Sequence, residues 1–268
     1  MSSPTNTSRQ IHFVEDSPVK GLALAELRVT SPEATVICVH GALDRAGSFT
    51  RLSRRLTRFD VLAYDRRGYQ GSRGLAPVDL EHHVADLLAL VEREVARQPV
   101  ILFGHSFGGV VTFKTAIEAP AQISLVVNYE SPLPWILRRG TIHRLQDDDP
   151  ALEAERFFRR VVSDRAWERL GESQRESRRL DGETLLNDLR IVRNETPPFD
   201  LSTLRVPATY VHGDGEGADY FRSLSDALVE LNPKITIVEI EHADHDAHLK
   251  NAAQLAAVIE ERWDATCA

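Results

Sequence analysis

One serine in this chain lies in a turn whose sequence suits a nucleophile. Residues 104–108 read Gly-His-Ser-Phe-Gly, after the apolar run 100–103 and before the helix-compatible stretch 110–119. Side chains two residues on either side of Ser106 would collide in so tight a turn, and glycine at both positions removes that collision. A helix beginning beneath the serine points its free N–H groups at the place where an attacked carbonyl gains negative charge. The pattern therefore predicts nucleophilic attack by Ser106 rather than a chance glycine-serine turn.

The elements that must hold this serine alternate between strand-like and helix-like segments. This alternation is typical of an α/β fold, a mostly parallel sheet with helices on both faces. Helices are predicted over residues 80–96 and 107–119, and both are long enough to connect parallel neighbours. Eight strands are predicted, at residues 10–15, 22–29, 35–39, 59–64, 100–103, 123–129, 208–212 and 235–240.

Residues 132–200 interrupt the alternation, because they contain helix-like stretches but no strand-like one. A helix start at Asp149-Pro150 and two later apolar stripes, around Trp167 and over residues 185–192, predict a helical insertion that forms a lid. The chain is thus divided into a first core part at 1–131, the lid at 132–200 and a second core part at 201–268. The insertion holds 13 arginines and 14 acidic residues. We expect mutually neutralising pairs on solvated helix faces rather than a cationic substrate pocket.

Composition and charge restrict the classes of function. The 268 residues are 42% hydrophobic and 27% charged, which fits one globular α/β domain. A net charge of −8 and the lack of a basic run argue against a nucleic-acid partner and an anionic membrane surface. The first ten residues are polar and no long apolar stretch follows, which predicts a cytoplasmic protein. Cys38 and Cys267 stand far apart in the sequence, so no disulfide is predicted. We expect a monomer or a homodimer.

Four segments in sequence order resemble the α/β-hydrolase superfamily. They are Val-His-Gly-Ala at 39–42, Tyr-Asp-Arg-Arg-Gly-Tyr at 64–69, the serine turn at 104–108, and residues 240–249, where a histidine follows the last predicted strand. The second segment departs from the usual pattern at Gln70, where a second glycine is common. The resemblance implies an eight-stranded sheet and an oxyanion hole made by the backbone N–H groups of Ala42 and Phe107.

A cluster of three histidines contains the candidate base. His242, His245 and His248 stand three residues apart with acids between them, and such a cluster is one that could bind a metal ion. Residues three and six apart diverge around a helix axis, and the His-Glu-x-x-His pattern is missing, so no metal is predicted. The order serine, acid, histidine is the one found in these hydrolases and selects His245 as the base. His40 and His105 lie inside motifs and are predicted to line the pocket or to stabilise turns rather than to carry protons.

The acid that would orient His245 has three candidates. Glu130 follows the sixth predicted strand and resembles the acid of one subgroup of the superfamily. Glu216 and Asp214 follow the seventh predicted strand, in a loop with three glycines. A glycine-rich loop loses more backbone entropy when it holds a carboxylate still, so we favour Glu130 and leave the other two open.

These expectations describe a serine hydrolase. Ser106, His245 and Glu130 would cleave a small carboxylic ester through an acyl-enzyme intermediate, with no cofactor. The same constellation serves carbon–carbon bond, lactone and amide hydrolysis and cofactor-free perhydrolysis, which stay open alternatives. A further alternative is a non-hydrolytic receptor that keeps the site to hold a small molecule.

Overall fold

A single eight-stranded sheet organises the computed structural model, which describes residues 10–76, 79–137, 149–194 and 196–268. The strands follow the order β1-β2-β4-β3-β5-β6-β7-β8, and the pairs β1–β2 and β2–β4 are antiparallel while all others are parallel. Their bounds are β1 (His12–Val14), β2 (Leu24–Leu27), β3 (Thr35–Val39), β4 (Asp60–Tyr64), β5 (Val100–His105), β6 (Leu125–Tyr129), β7 (Ala208–Gly213) and β8 (Ile235–Ile240).

Helices cover both faces of the sheet. Side chains alternate between the faces along each strand, so that Ile37 and Val39 pack on one side while Val36 and Cys38 pack on the other. The first side carries α2 (Leu80–Val95), α3 (Phe107–Glu118) and α8 (Ala218–Leu231), and the second carries α1 (Thr50–Arg55), α9 (Ala247–Lys250) and α10 (Ala252–Cys267). The expected mostly parallel sheet with helices on both faces is confirmed.

Within the described residues, four α-helices lie between β6 and β7. They are α4 (Pro150–Val161), α5 (Asp164–Arg169), α6 (Glu172–Leu180) and α7 (Gly182–Val192), and we call residues 150–192 the four-helix segment. Its apolar cluster packs onto the core at Leu43 and Tyr69. Residues 138–148 and 195 of the predicted insertion lie outside the described residues.

Several charged side chains of the four-helix segment pair with one another, as expected. Arg159 lies 2.9 Å from Glu155 and 2.7 Å from Glu168, and Arg179 lies 3.2 Å from Glu155 and 3.0 Å from Glu172. Helix α6 was not predicted, because its sequence has no apolar stripe for a periodicity argument to find.

The structure also bears on the two cysteines and on the possibility of a membrane-spanning helix. Cys38 is buried and Cys267 is exposed, and both thiols are free. Within the described ranges, the helices are too short or too polar to cross a bilayer.

Candidate active site

Ser106 lies at the tip of the turn between β5 and α3. Its backbone has φ 52° and ψ −125°, in a region that non-glycine residues rarely adopt, and α3 begins at the next residue. A Cβ on Gly108 would lie 2.0 Å from the Val39 carbonyl oxygen, and a Cβ on Gly104 would lie 2.5 Å from the Gly109 Cα atom. The predicted need for glycine at both positions is therefore confirmed.

The structure brings His245 and Glu130 together. Glu130 directly follows β6, is 2% exposed, and accepts a hydrogen bond from His245 Nδ1 at 2.7 Å through Oε2. Its other oxygen, Oε1, accepts from the backbone N–H of Gly213 at 3.0 Å. Because the carboxylate fixes the proton on Nδ1, the other ring nitrogen of neutral His245 is left as an acceptor. This is the arrangement that a general base requires.

The two other candidate acids lie elsewhere in the loop after β7. Asp214 accepts a hydrogen bond from the Ala243 backbone N–H at 3.3 Å through Oδ1. Glu216 is exposed, and its backbone N–H donates to Asp244 at 3.3 Å. The structure thus pairs neither side chain with His245.

Side chains from β5 and β6 hold the segment that carries His245. His105 Nε2 donates to the carbonyl oxygen of His245 at 2.8 Å, and the Tyr129 hydroxyl donates to the carbonyl oxygen of Asp244 at 2.8 Å. The ring of Phe221 lies parallel to the His245 ring, with 6.2 Å between centroids. Two consecutive carbonyls and one ring face are therefore fixed, which limits the positions open to the imidazole.

The turn after β3 is held by a buried arginine. Arg66 donates from Nε to the His40 carbonyl at 2.9 Å and from a terminal nitrogen to the Gly41 carbonyl at 3.2 Å. The same Gly41 oxygen accepts from His40 Nδ1 at 2.7 Å. In a trans peptide the Gly41 carbonyl and the Ala42 N–H point in opposite directions, so these bonds fix the direction of that N–H group.

His40 stabilises the turn as a neutral ring. Its Nε2 accepts from the backbone N–H of Arg66 at 2.8 Å while Nδ1 donates. Burial lowers the pKa of His40 to about 3, with the Arg66 charge acting in the same direction. Of the two roles predicted for His40, its hydrogen bonds show the turn-stabilising one.

Asp188 is a site-supporting residue that the sequence analysis missed. It extends from α7 and accepts from both terminal nitrogens of Arg66, at 2.6 and 3.1 Å, and from the Tyr69 hydroxyl at 2.7 Å. The guanidinium also lies over the ring of Phe107, 4.7 Å from the centroid. One ion pair therefore connects the four-helix segment to both residues predicted to form the oxyanion hole. A carboxylate amid the buried Leu185, Leu189 and Val192 was the available signal.

The three histidines of residues 242–248 are not gathered around one point. His242 is exposed, His245 pairs with Glu130, and His248 is buried beside His105. In the part of the chain that the structure describes, the ligand atoms that converge belong to Asp44, His105 and His248.

Comparison with known proteins identifies the family. The model of the alpha/beta hydrolase family matches residues 36–258. This chain belongs to that family. Among curated relatives, monoglyceride lipase of Rattus norvegicus is 35% identical to this alpha/beta hydrolase over 101 residues, which are 35% of this chain and 33% of that protein. Lipase LipV of Mycobacterium tuberculosis is 32% identical over 97 residues, 36% of this chain and 37% of that protein. The chain thus spans about a third of the length of these relatives.

Solved structures share the fold of this alpha/beta hydrolase at low identity. Bromoperoxidase from Bacillus anthracis aligns with a TM-score of 0.69 and 18% identity over 91% of this chain and 96% of that chain. A thermophilic esterase from Thermogutta terrifontis aligns with a TM-score of 0.67 and 19% identity over 96% of this chain and 99% of that chain. At these identities the likeness concerns the fold alone.

Proposed function

We propose that this alpha/beta hydrolase cleaves small carboxylic esters through a covalent intermediate on Ser106. The observation that carries the proposal is the 2.7 Å hydrogen bond between His245 Nδ1 and the buried carboxylate of Glu130. That bond prepares His245 to act as a base, and Ser106 stands in the strained backbone conformation that suits an exposed nucleophile.

The proposed reaction has two halves. In the first, His245 takes the hydroxyl proton of Ser106, the serine oxygen attacks the ester carbonyl, and the protonated histidine returns the proton to the leaving alcohol. In the second, His245 activates a water molecule that releases the acid and frees the serine. Glu130 stabilises the imidazolium formed in each half, and its second oxygen is already satisfied by the Gly213 N–H.

Two backbone N–H groups are proposed to stabilise the oxyanion. One belongs to Ala42, whose peptide is oriented through the Gly41 carbonyl. The other belongs to Phe107, the first residue of α3, where the helix leaves N–H groups without an intrahelical partner. Both N–H groups would stabilise the negative charge on the oxyanion. That charge is largest in the transition state, so the stabilisation would lower the barrier of the reaction.

We propose that the acyl group of the substrate lies next to the four-helix segment. Ala42 and Leu43 belong to the apolar cluster that this segment forms with the core. We propose that residues 150–192 act as the lid predicted from the sequence and that this apolar contact shapes the acyl side of the pocket. The relatives named monoglyceride lipase and lipase favour an ester over an amide.

A fluorophosphonate probe followed by peptide mapping tests the nucleophile. Only a hydroxyl activated by a base beside oxyanion donors reacts quickly, so we expect one adduct, on Ser106. Ser106→Ala should remove it. Ser53→Ala, which alters a buried serine of α1, should keep it. No adduct on folded protein, or an adduct elsewhere, would favour the non-hydrolytic receptor.

Turnover of p-nitrophenyl esters of graded acyl length tests the reaction. We expect hydrolysis that depends on Ser106 and a clear preference within the series. Labelling of Ser106 without turnover of any ester would redirect the proposal to an amide, a lactone or another carbonyl substrate.

A further inference from the structure

Three polar side chains meet in the interior beside the proposed active site. Asp44 lies in the loop after β3, His105 is the last residue of β5, and His248 belongs to α9. Their nearest ligand atoms all lie within 4.8 Å of one another. Asp44 Oδ2 is 3.2 Å from His248 Nε2 and 3.9 Å from His105 Nδ1. The two histidines are 3% and 5% exposed, so bulk water does not solvate this group.

The hydrogen bonds around the group leave Nδ1 of His105, which faces Asp44, without a partner among the described residues. His105 uses Nε2 to donate to the His245 carbonyl, so Nδ1 of the neutral ring carries a lone pair that faces a carboxylate. Asp44 Oδ1 accepts from the Ser48 hydroxyl, and Oδ2 lies 3.2 Å from His248 Nε2, at hydrogen-bond distance. Nδ1 of His248 has no hydrogen-bond partner among the described residues. The lone pair of His105 Nδ1 and the carboxylate face each other without a donor between them, which is costly in a buried place, and a cation bound between them removes that cost.

We propose that Asp44, His105 and His248 bind one divalent transition-metal ion of the zinc class. The ligands would be Asp44 Oδ2, His105 Nδ1 and His248 Nε2, with water or another small ligand in the fourth position. Two imidazoles and one carboxylate suit Zn²⁺ or a similar ion and disfavour Mg²⁺ and Ca²⁺, which prefer oxygen ligands.

The distances and the outer contacts fit this assignment. Ligand atoms about 2.0–2.1 Å from a tetrahedral Zn²⁺ are separated by roughly 3.4 Å. The 3.2 Å separation is close to this value, the 3.9 Å separation is about half an ångström longer, and the two histidine nitrogens lie within 4.8 Å of each other, so the rings must shift when the ion binds. His105 donates its other ring N–H to a backbone carbonyl, which is how proteins orient a metal-binding histidine. That carbonyl belongs to His245, so the metal site adjoins the proposed base without using its ring.

Isothermal titration with ZnCl₂ on untagged, chelator-treated protein at neutral pH tests the proposal. We expect one ion bound per chain. Asp44→Asn and His248→Gln should each weaken binding at least about 100-fold, since each removes a direct ligand. His242→Gln, which changes an exposed histidine of the same loop, should bind like the wild type. An absence of saturable binding, or equal affinity in the Asp44→Asn and His248→Gln variants, refutes the site.

Histidine-ring ¹⁵N spectra of the wild-type protein cover the case in which a ligand variant does not fold. Added Zn²⁺ should shift the ring nitrogens of His105 and His248 and leave those of His242 in place. Shifts at His242 in place of His105 and His248 would overturn the assignment. Neither measurement uses ester hydrolysis, so its outcome is independent of the proposed function.

Discussion

Replacing Asp188 with asparagine should lower both the stability and the turnover of this alpha/beta hydrolase. Arg66 is fully buried and Asp188 is 1% exposed, so the substitution leaves a buried guanidinium without its counter-charge. Removing one partner of a buried ion pair costs about 3–5 kcal/mol. A protein of this size loses roughly 2–4 °C of Tm per kcal/mol, so the expected decrease in Tm is about 6–20 °C. Differential scanning calorimetry measures it.

The effect on turnover follows from the contacts of Arg66. The guanidinium that Asp188 holds also donates to the Gly41 carbonyl, which shares a peptide with the Ala42 N–H. Loss of one oxyanion donor typically lowers kcat about 10²- to 10³-fold. His40 still donates to the same carbonyl, so we expect a smaller decrease in kcat, about 10- to 100-fold on the same scale. KM should change little. Steady-state hydrolysis of p-nitrophenyl acetate, well below the Tm of the variant, separates the two constants.

Asp181→Asn is the matched control. Asp181 is also a fully buried carboxylate of the four-helix segment, but it pairs with Arg73 at 2.8 Å and with the Gln70 amide at 2.7 Å. This variant should lose stability and keep its kcat. Wild-type kcat in folded Asp188→Asn, or an equal loss of kcat in Asp181→Asn, would show that Asp188 contributes only to stability.

Three further predictions concern the acid, the serine turn and pH. Glu130→Gln should reduce kcat by orders of magnitude, on the scale of about 10⁴ measured for a serine-protease triad, while Glu216→Gln and Asp214→Asn should change it little; the reverse ranking among folded variants would give the role to the loop after β7. Gly108→Ala would place a Cβ 2.0 Å from the Val39 carbonyl oxygen, so fluorophosphonate labelling should be lost or the protein should fail to fold, and normal labelling would contradict the packing argument. Burial lowers the pKa of His40 to about 3 and that of His83 well below its ordinary range, so the unfolded chain binds more protons below about pH 6.5 and stability falls as the pH falls. Urea unfolding should show a loss of stability between about pH 7 and pH 5, on the order of 2 kcal/mol from His40 alone; the loss should be smaller in His83→Gln and unchanged in the half-exposed control His82→Gln.

The sheet could be predicted because its signals are local. The central parallel strands are short, nearly continuous apolar runs, as in Thr35–Val39, where every residue is buried. Strand ends were less accurate: β1 covers three residues where six were predicted, and β2 covers four where eight were predicted. Helix α6 was not predicted, because its signals are not local to its sequence. Apart from Leu180 at its end its sequence is polar, and contacts such as that of buried Arg178 with the Leu43 carbonyl hold it.

The residues of the candidate site also differ in whether their sequence signals are local. Ser106 and the glycines around it were predictable because the turn is encoded within five residues. The glycine-rich loop after β7 favoured Glu130 over Glu216 and Asp214, but all three acids follow predicted strands, and only the folded chain shows which carboxylate reaches His245. The hydrogen bond of Glu130 to the Gly213 N–H adds a physical reason, since β7 itself helps to hold this acid.

Asp188 shows why charged partners are the hardest part of such a site to predict. A carboxylate on the buried stripe of α7 requires a cation, but the sequence of α7 does not say which one. Its partner Arg66 lies 122 residues earlier, and the segment around α7 contains many other arginines that could satisfy a nearby acid. What selects Arg66 is burial: it is fully enclosed between the rings of Tyr69 and Phe107, whereas Arg159 and Arg179 keep their charges partly in water. An uncompensated charge costs most where water is excluded, so the buried acid and the buried cation must be placed together by the fold.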